Sequence, residues 1–236
     1  PVGPVRNEHG AGCCGVVPRV GEDQVMASSN NEATTRGGRR RSNGAGSSRR
    51  AQLLAIAAEM FATRGYSQTT VRDIADEAGI LSGSLYHHFD SKEAMLTEIL
   101  REFMGNLLSD IREIAESRQT PRDALDGLIY NSFETIHKVP FAVALYQNEA
   151  ALLTTTAEFA FVAKASLDVE KVWLNVIKQG QKELDFRADL DPSTTYRFIR
   201  DAIWSTVRWY NPRGRLQHKA LADQYIEMLH GGLLAE

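Results

Sequence analysis

Cysteine is almost absent from this chain. Its 236 residues contain two, Cys13 and Cys14, side by side near the start. A disulfide framework, a cysteine-based zinc finger and a cysteine nucleophile are therefore excluded for the rest of the chain, and a reduced, cytoplasmic protein is expected. No apolar run approaches the ~18 residues of a membrane-spanning helix, which excludes a span. The first residues also lack the charged-then-apolar order of a signal peptide, so none is expected.

A strong charge of one sign is lacking as well. The formal net charge is −3, with 24% charged and 43% hydrophobic residues, which is the balance of a soluble globular protein. Any nucleic-acid site must therefore come from a local basic patch rather than from overall charge.

The first 47 residues have no apolar periodicity and are rich in Gly, Ser, Asn and Arg, which predicts a disordered tail over residues 1–47. Positions 36–50 carry no acidic residue and six arginines: Arg36, Arg39, Arg40, Arg41, Arg49 and Arg50. Two interpretations stay open. The arginines form a basic arm that contacts DNA phosphates or the minor groove, or they belong to a solvated tail or an upstream extension, since Met26 could be a natural start.

From residue 48 onward the pattern is helical. Apolar residues recur at helical spacing from Arg49 to Arg64, and Gly65 ends that helix. Six further segments show the same periodicity: 92–117, 121–138, 140–153, 157–185, 192–210 and 217–234. Alternating strand patterns do not occur. We therefore predict an all-α protein with a small domain over residues 48–95 and a larger one over 96–236.

Residues 70–89 have the pattern of a helix-turn-helix. Thr70 is a good N-cap for a short helix that ends at Gly79, which permits a tight left-handed turn into a second helix through Phe89. Ile80, Leu85 and Phe89 are expected to anchor the pair to helix 49–64. In such a motif the second helix enters the major groove of DNA.

The run from Thr70 to Leu96, with GSLYHHF at positions 83–89 and Ser91-Lys92 after it, closely resembles the DNA-binding domain of TetR-family transcriptional repressors. The resemblance implies a helical ligand-binding and dimerisation domain, phosphate contacts from Thr70, Tyr86, His87 and Lys92, and base contacts from Ser82, Gly83 and Ser84. Thr70 and Lys92 also lie at helix starts, which favour anions. Leu81 stands where the family has Ser or Thr, so Ser82 is expected to cap the recognition helix instead. Tyr86 has one alternative interpretation, a core aromatic. Neighbouring histidines on a helix point in different directions, so no metal site is predicted at His87 and His88.

A second unusual pattern occurs in the helix predicted at 192–210. Arg200, Trp204 and Arg208 stand at i, i+4 and i+8, with Arg197 one turn earlier. Buried arginines need anions and Trp offers a stacking face, which suits a ligand with phosphates and an aromatic base, such as coenzyme A. The alternative is that these arginines pair with Asp201, Glu183 or Glu149, or lie on a solvated face.

Residues 196–210 and 80–89 are also similar to a TetR-family subgroup that controls the catabolism of the later rings of cholesterol in actinobacteria. This resemblance implies an effector that is a steroid-derived acyl-CoA thioester, with Arg200, Trp204 and Arg208 facing the CoA. The rings would be held by apolar residues of the larger domain: Phe133, Tyr146, Leu152, Phe161 and Trp173. Each of these could equally be an ordinary core residue, and a drug or a fatty acyl-CoA is the alternative effector. No resident cofactor is predicted.

We expect a homodimer that binds a pseudo-palindromic operator in double-stranded DNA. Helices 192–210 and 217–234 would form its interface through their apolar residues: Ile199, Ile203, Val207, Leu221, Tyr225, Met228 and Leu229. The competing class is an enzyme acting on an acyl-CoA. It is not favoured, because the chain has no Gly-x-Ser-x-Gly motif or Gly-rich phosphate loop, and His137, His218 and His230 are scattered.

Overall fold

The computed structural model describes the backbone of residues 42–233 and the side chains of residues 47–232. Within this part of the chain the regular elements are helices, in agreement with the predicted all-α fold. They are α1 (Ser42–Arg64), α2 (Val71–Glu77), α3 (Ser82–Tyr86), α4 (Lys92–Ser117), α5 (Pro121–Lys138), α6 (Pro140–Asn148), α7 (Ala150–Thr155), α8 (Ala160–Lys182), α9 (Pro192–Ser205) and α10 (His218–Leu233). Short 3-10 turns cover Ala157–Phe159 and Thr206–Arg208.

Helix α1 begins earlier than the sequence pattern predicted. It starts at Ser42 rather than Arg49, so residues 42–47 are helical and do not belong to the predicted tail. Extending an existing helix gains one hydrogen bond per residue, which outweighs the poor helix propensity of Ser and Gly here. The rest of the predicted tail, residues 1–41, lies outside the described residues.

The apolar residues form two clusters that meet along α4. The first cluster joins α1–α3 to the start of α4, from Leu53 to Leu100, and includes Leu145, Leu153 and Phe159 from the larger domain. The second begins at Phe103 and is built from α4, α5, α8, α9 and α10. Because α4 supplies side chains to both clusters, any tilt of α4 displaces side chains in both of them.

Three predicted helices differ from the observed ones, since one is broken in two and two end early. Segment 140–153 breaks at Glu149, which has non-helical dihedrals and separates α6 from α7. Helix α8 ends at Lys182 instead of 185, where Leu184 adopts a positive φ of 66°. Helix α9 ends at Ser205, and the β-branched Thr206 donates its hydroxyl to the Ile203 carbonyl, which favours the tighter turn that follows.

Candidate functional sites

The start of α2 is held by a reciprocal capping box, as expected for Thr70. The Thr70 hydroxyl accepts a hydrogen bond from the Asp73 N–H (3.2 Å), and the Thr70 N–H donates to Asp73 Oδ2 (2.8 Å). The same hydroxyl donates its hydrogen to Oδ2 at 2.6 Å. These bonds lower the pKa of the Asp73 carboxyl. A phosphate that binds Thr70 must therefore compete with Asp73 for both of its donors.

The turn between α2 and α3 has the geometry that the sequence predicted. Gly79 lies at φ 66°, and the Ile80 N–H donates to the Ala75 carbonyl at 2.9 Å. Leu85 and Phe89 are buried in the first apolar cluster, which includes residues of α1, and Ile80 packs against that cluster. This packing fixes α3 on the body of the domain and leaves its opposite side exposed.

The prediction that Ser82 caps α3 is wrong. Leu81 is the N-cap residue, in extended conformation, and makes no side-chain capping bond. Its carbonyl accepts the N–H groups of Ser84 (2.9 Å) and Leu85 (3.3 Å), which makes Leu81 the first boundary residue of the helix.

The remaining residues predicted to contact DNA lie on one accessible stretch of chain. Gly83, Ser84 and His87 are exposed, Ser82 is half-buried, and 54% of the Tyr86 surface is exposed. The core interpretation of Tyr86 is therefore excluded. His87 follows the last residue of α3 rather than lying within it.

Lys92 differs from its expected role as a free phosphate contact. Its ammonium donates to the carbonyls of Tyr66 (2.9 Å) and Thr69 (3.0 Å) and lies 4.2 Å from the centre of the Tyr66 ring. Two of its three N–H groups thus hold the loop that leads into α2, and one remains for a phosphate.

Of the six arginines at positions 36–50, Arg49 and Arg50 have described side chains, and both contact other parts of the domain. Arg49 Nη2 donates to the Ala78 carbonyl at 3.0 Å, next to the turn. Arg50 pairs with Glu98 of α4 at 2.7 Å and stacks 4.1 Å from the centre of the Phe89 ring. Sequence spacing could not reveal these contacts, because their partners are distant in sequence.

In the larger domain, the structure brings together an aromatic group around Arg200. The Phe103 ring contacts the rings of Trp204 (6.3 Å between centroids, edge to face) and Tyr146 (5.8 Å). The Tyr196 ring lies 5.5 Å from the Arg200 guanidinium. We call these five residues (Phe103, Tyr146, Tyr196, Arg200 and Trp204) the Arg200 cluster. It connects α4, α6 and α9.

Polar groups in the Arg200 cluster are only partly satisfied by the protein. The Tyr146 hydroxyl shares a 3.0 Å hydrogen bond with Ser166. Arg200 Nε donates to the adjacent Asp201 at 2.8 Å, and 39% of the arginine side chain is exposed. The Asp201 bond raises the pKa of Arg200, and the tyrosines at 196 and 146 act in the same direction. Burial raises the pKa of Tyr196 to about 12.

Several of the predicted effector residues lie elsewhere. Arg208 is exposed on the 3-10 turn, so the i, i+4, i+8 stripe stops at Trp204, and Arg200 is not the buried cation that was predicted. Phe133 is buried and pairs with Tyr225 of α10 at 5.9 Å. Leu152 and Phe161 pack on the first apolar cluster. Phe103 and Tyr196 were not predicted as effector residues, although each lies on the apolar face of its helix.

Three further features of the described residues bear on what the protein can bind. A surface hollow between α1 and α2 is lined by Arg64 and three carboxylates, Asp73, Asp76 and Glu77, and so does not suit an anion. Within residues 42–233 no three His, Cys, Asp or Glu side chains are grouped as metal ligands. Over the same part of the chain, none of the helices combines the length and the apolarity that a membrane crossing requires.

Comparison with known proteins gives two family matches. Residues 53–99 match the family described as bacterial regulatory proteins, tetR family, and residues 118–233 match a tetracyclin repressor-like C-terminal domain. The HTH-type transcriptional repressor KstR2 of Mycobacterium tuberculosis is 47% identical over 80% of this chain and 94% of that protein. This chain belongs to the TetR family.

The TetR-family relatives also confirm the subgroup resemblance. KstR2 of Rhodococcus jostii is 46% identical over 78% of this chain and 91% of that protein. The structure of the ketosteroid transcriptional regulator KstR2 of Mycobacterium tuberculosis matches with a TM-score of 0.78 and 47% identity, over 80% of this chain and 96% of that one. A structure of AibR with isovaleryl coenzyme A and operator DNA, 22% identical with a TM-score of 0.67 over 76% of this chain and 97% of that one, shares the fold.

Membership of the TetR family makes this chain a DNA-binding transcriptional regulator, and the curated relatives reported above are named as repressors. Regulators of this family act as dimers on operator DNA and respond to small molecules, which are the partner classes that the sequence predicted. The curated relatives reported above are regulators rather than enzymes.

Proposed function

We propose that this TetR-family protein binds a pseudo-palindromic operator as a cytoplasmic homodimer and is released from it by a steroid-derived acyl-CoA thioester. The observation that carries the effector proposal is the Arg200 cluster, which joins an arginine to four aromatic rings from three helices. The relative whose structure is named as a ketosteroid transcriptional regulator supports the steroid portion. The protein's role is regulatory, without a catalytic step.

The chemistry of the cluster suits an anionic ligand with a large apolar part. Arg200 bonds Asp201 and interacts with Tyr196, and its five N–H groups leave other donors for a phosphate. Trp204 and Phe103 are buried rings that a ligand would have to separate to reach their apolar surface, and Tyr146 carries a hydroxyl that can change partner from Ser166 to a ligand. Phe133 and Arg208, which the sequence predicted as effector residues, are not part of the Arg200 cluster.

The same residues connect the proposed ligand site to the DNA-binding domain through two helices. Phe103 lies on α4, which begins at the helix-turn-helix, and Tyr146 lies on α6, which packs against α1. A ligand that separates Phe103, Tyr146 and Trp204 would shift α4 and α6 together. A hundredfold loss of DNA affinity requires about 2.7 kcal/mol of preference for the released state.

The surface available for dimerisation overlaps only in part with the one that the sequence predicted. Ile199, Ile203 and Leu221 are buried inside the single chain, so they are not free to form an interface. Phe198 of α9 and Met228 of α10 are exposed, and so is Trp209 just after α9. We propose that these three residues form the centre of the dimer contact and set the recognition helices about 34 Å apart.

The test is fluorescence anisotropy with labelled DNA from upstream of the protein's own gene. Steroid-derived acyl-CoA thioesters, a fatty acyl-CoA and free CoA are added separately to the preformed complex. Release by the steroid thioester alone, with DNA affinity that falls steeply as salt rises, is the expected result. Release by the fatty acyl-CoA alone would replace the steroid proposal. Saturation with every thioester without release would refute the effector mechanism and leave the DNA-binding function.

A further inference from the structure

The exposed surface of the recognition helix carries no charged side chain. Residues 79–89 read GILSGSLYHHF and contain no Arg, Lys, Asp, Glu, Asn or Gln. These are the six residue types that make the strongest hydrogen-bonded contacts with base edges, such as arginine with guanine or asparagine with adenine. The surface therefore lacks these contacts, which leaves hydroxyl, histidine and apolar groups for sequence discrimination.

Leu81 stands out on this surface because its apolar side chain is largely exposed. It is 81% exposed, more than any other large apolar residue that the structure describes. It also occupies the N-cap position of α3 without forming a capping bond, whereas Thr70, Ser91, Thr120 and Asp191 all cap their helices with side-chain oxygens. Leu81 thus contributes neither burial nor capping to stability.

The neighbours of Leu81 leave its isobutyl group accessible. Gly83 and Ser84 are small and exposed, and Ser82 is half-buried, while Leu85 points into the core and fixes the turn from behind. A base edge that approaches this surface meets one aliphatic group at Leu81. The only apolar group that the major groove offers is the C5-methyl of thymine.

We propose that Leu81 is a specificity-determining residue that recognises thymine, by packing its isobutyl group on the C5-methyl of a thymine in each operator half-site. This inference rests on the proposed DNA-binding function and adds the base that the surface reads. The proposed contact with thymine is made by the side chain of Leu81 and not by the backbone amides of α3.

The test uses a duplex selected from a random pool by the wild-type protein, prepared either with thymine or with uracil in its place. Uracil keeps the base pairing and removes only the methyl group. We expect uracil to weaken wild-type binding about fourfold for each lost methyl contact, and about 15-fold for two half-sites. The Leu81→Ala variant should bind both duplexes with affinities within about twofold of each other. A single restored thymine should then strengthen wild-type binding about fourfold at each of two symmetry-related positions, and restoring both should recover the full affinity.

Two further variants make the result specific. Leu81→Ser restores a capping side chain without the aliphatic group, so it should be as insensitive to uracil as Leu81→Ala while folding at least as stably. Leu184→Ala, an exposed leucine far from α3 in sequence, should keep the full uracil effect. An equal uracil effect in Leu81→Ala and the wild type would overturn the assignment of Leu81. Failure of the pool to yield any bound duplex would instead refute the DNA-binding function itself.

Discussion

The backbone N–H of Tyr66 donates a 3.1 Å hydrogen bond to Oε1 of Glu149. Tyr66 lies in the loop between α1 and α2, and Glu149 occupies the break between α6 and α7, one helical turn after Tyr146 of the Arg200 cluster. Lys92 holds the same loop through the carbonyl of Tyr66. The bond between Tyr66 and Glu149 thus links the end of α6 directly to the loop that leads into the helix-turn-helix.

Because of this contact, Glu149→Ala should weaken the coupling between effector and DNA. We expect the variant to bind the effector and the operator separately with near-normal affinity, but to be released from DNA several-fold less effectively, since coupling residues contribute about 0.5–2 kcal/mol. Glu149→Gln keeps an oxygen acceptor and should restore most of the release. The measurement is DNA affinity with and without saturating effector. Equal release by Glu149→Ala and wild type would show that α4 alone carries the signal.

Arg200→Ala should weaken effector binding about 10- to 100-fold, because a charge-assisted hydrogen bond contributes about 1.5–3 kcal/mol. DNA affinity without effector should stay unchanged. Arg197→Ala is the matched control, since Arg197 is exposed on the same helix and lies outside the cluster. Asp201→Asn should tighten effector binding, as it removes the anion that competes for Arg200. Calorimetric titration measures all three, and similar losses in both arginine variants would argue against the Arg200 cluster as the site.

Gly180→Ala should destabilise the protein by about 3 kcal/mol through overpacking. A Cβ at this position would lie 2.1 Å from the ring of Phe186, which is buried where the chain turns back after α8. Gly105→Ala is the control within α4, because its Cβ meets no atom within 4 Å and a helical alanine gains about 0.5–1 kcal/mol over glycine. Urea unfolding should therefore give opposite signs for the two variants. Equal stability of Gly180→Ala and wild type would mean that Phe186 moves aside without cost.

The stability of the larger domain should fall as pH decreases below about 6.5, the ordinary pKa of histidine. Burial, with a further contribution from His137, lowers the pKa of His218, whose ring stacks on that of His137 at 4.4 Å. A lowered pKa means that the unfolded chain binds the proton first. Stability is therefore complete above the ordinary pKa and is lost as pH falls through the lower, folded value.

Replacement of the histidine tests this pH dependence. His218→Gln should flatten the decline in unfolding free energy between pH 7 and pH 5, measured by urea titration at each pH. His87→Gln is the comparison, because His87 is exposed beside α3 in the other domain. A decline that persists unchanged in His218→Gln would assign it to other groups.

Much of the DNA-binding domain could be predicted from sequence because its signals are local. The N-cap at Thr70 and the left-handed Gly79 each depend on a few consecutive residues, and both are present in the structure. The same holds for α4 and α5, whose bounds agree with the apolar periodicity and the flanking caps. The TetR-family assignment follows from this local pattern as well.

Periodicity shows which side of a helix is apolar but not what covers it. The spacing of Ile199 and Ile203 suited a dimer surface, yet the structure buries both within one chain. The spacing of Arg200 and Arg208 suited two buried cations, yet α9 ends between them and Asp201 binds the first.

The sequence by itself determined the all-α class, most helix boundaries and the helix-turn-helix, because hydrogen bonds and caps within a few residues decide these. The tertiary structure decided which residues meet across the chain: Phe103 with Trp204 and Tyr146, Lys92 with the loop before α2, and Glu149 with Tyr66. Such contacts depend on how several helices pack at once. That packing arises from the summed burial of many side chains and cannot be deduced from the spacing along any one helix.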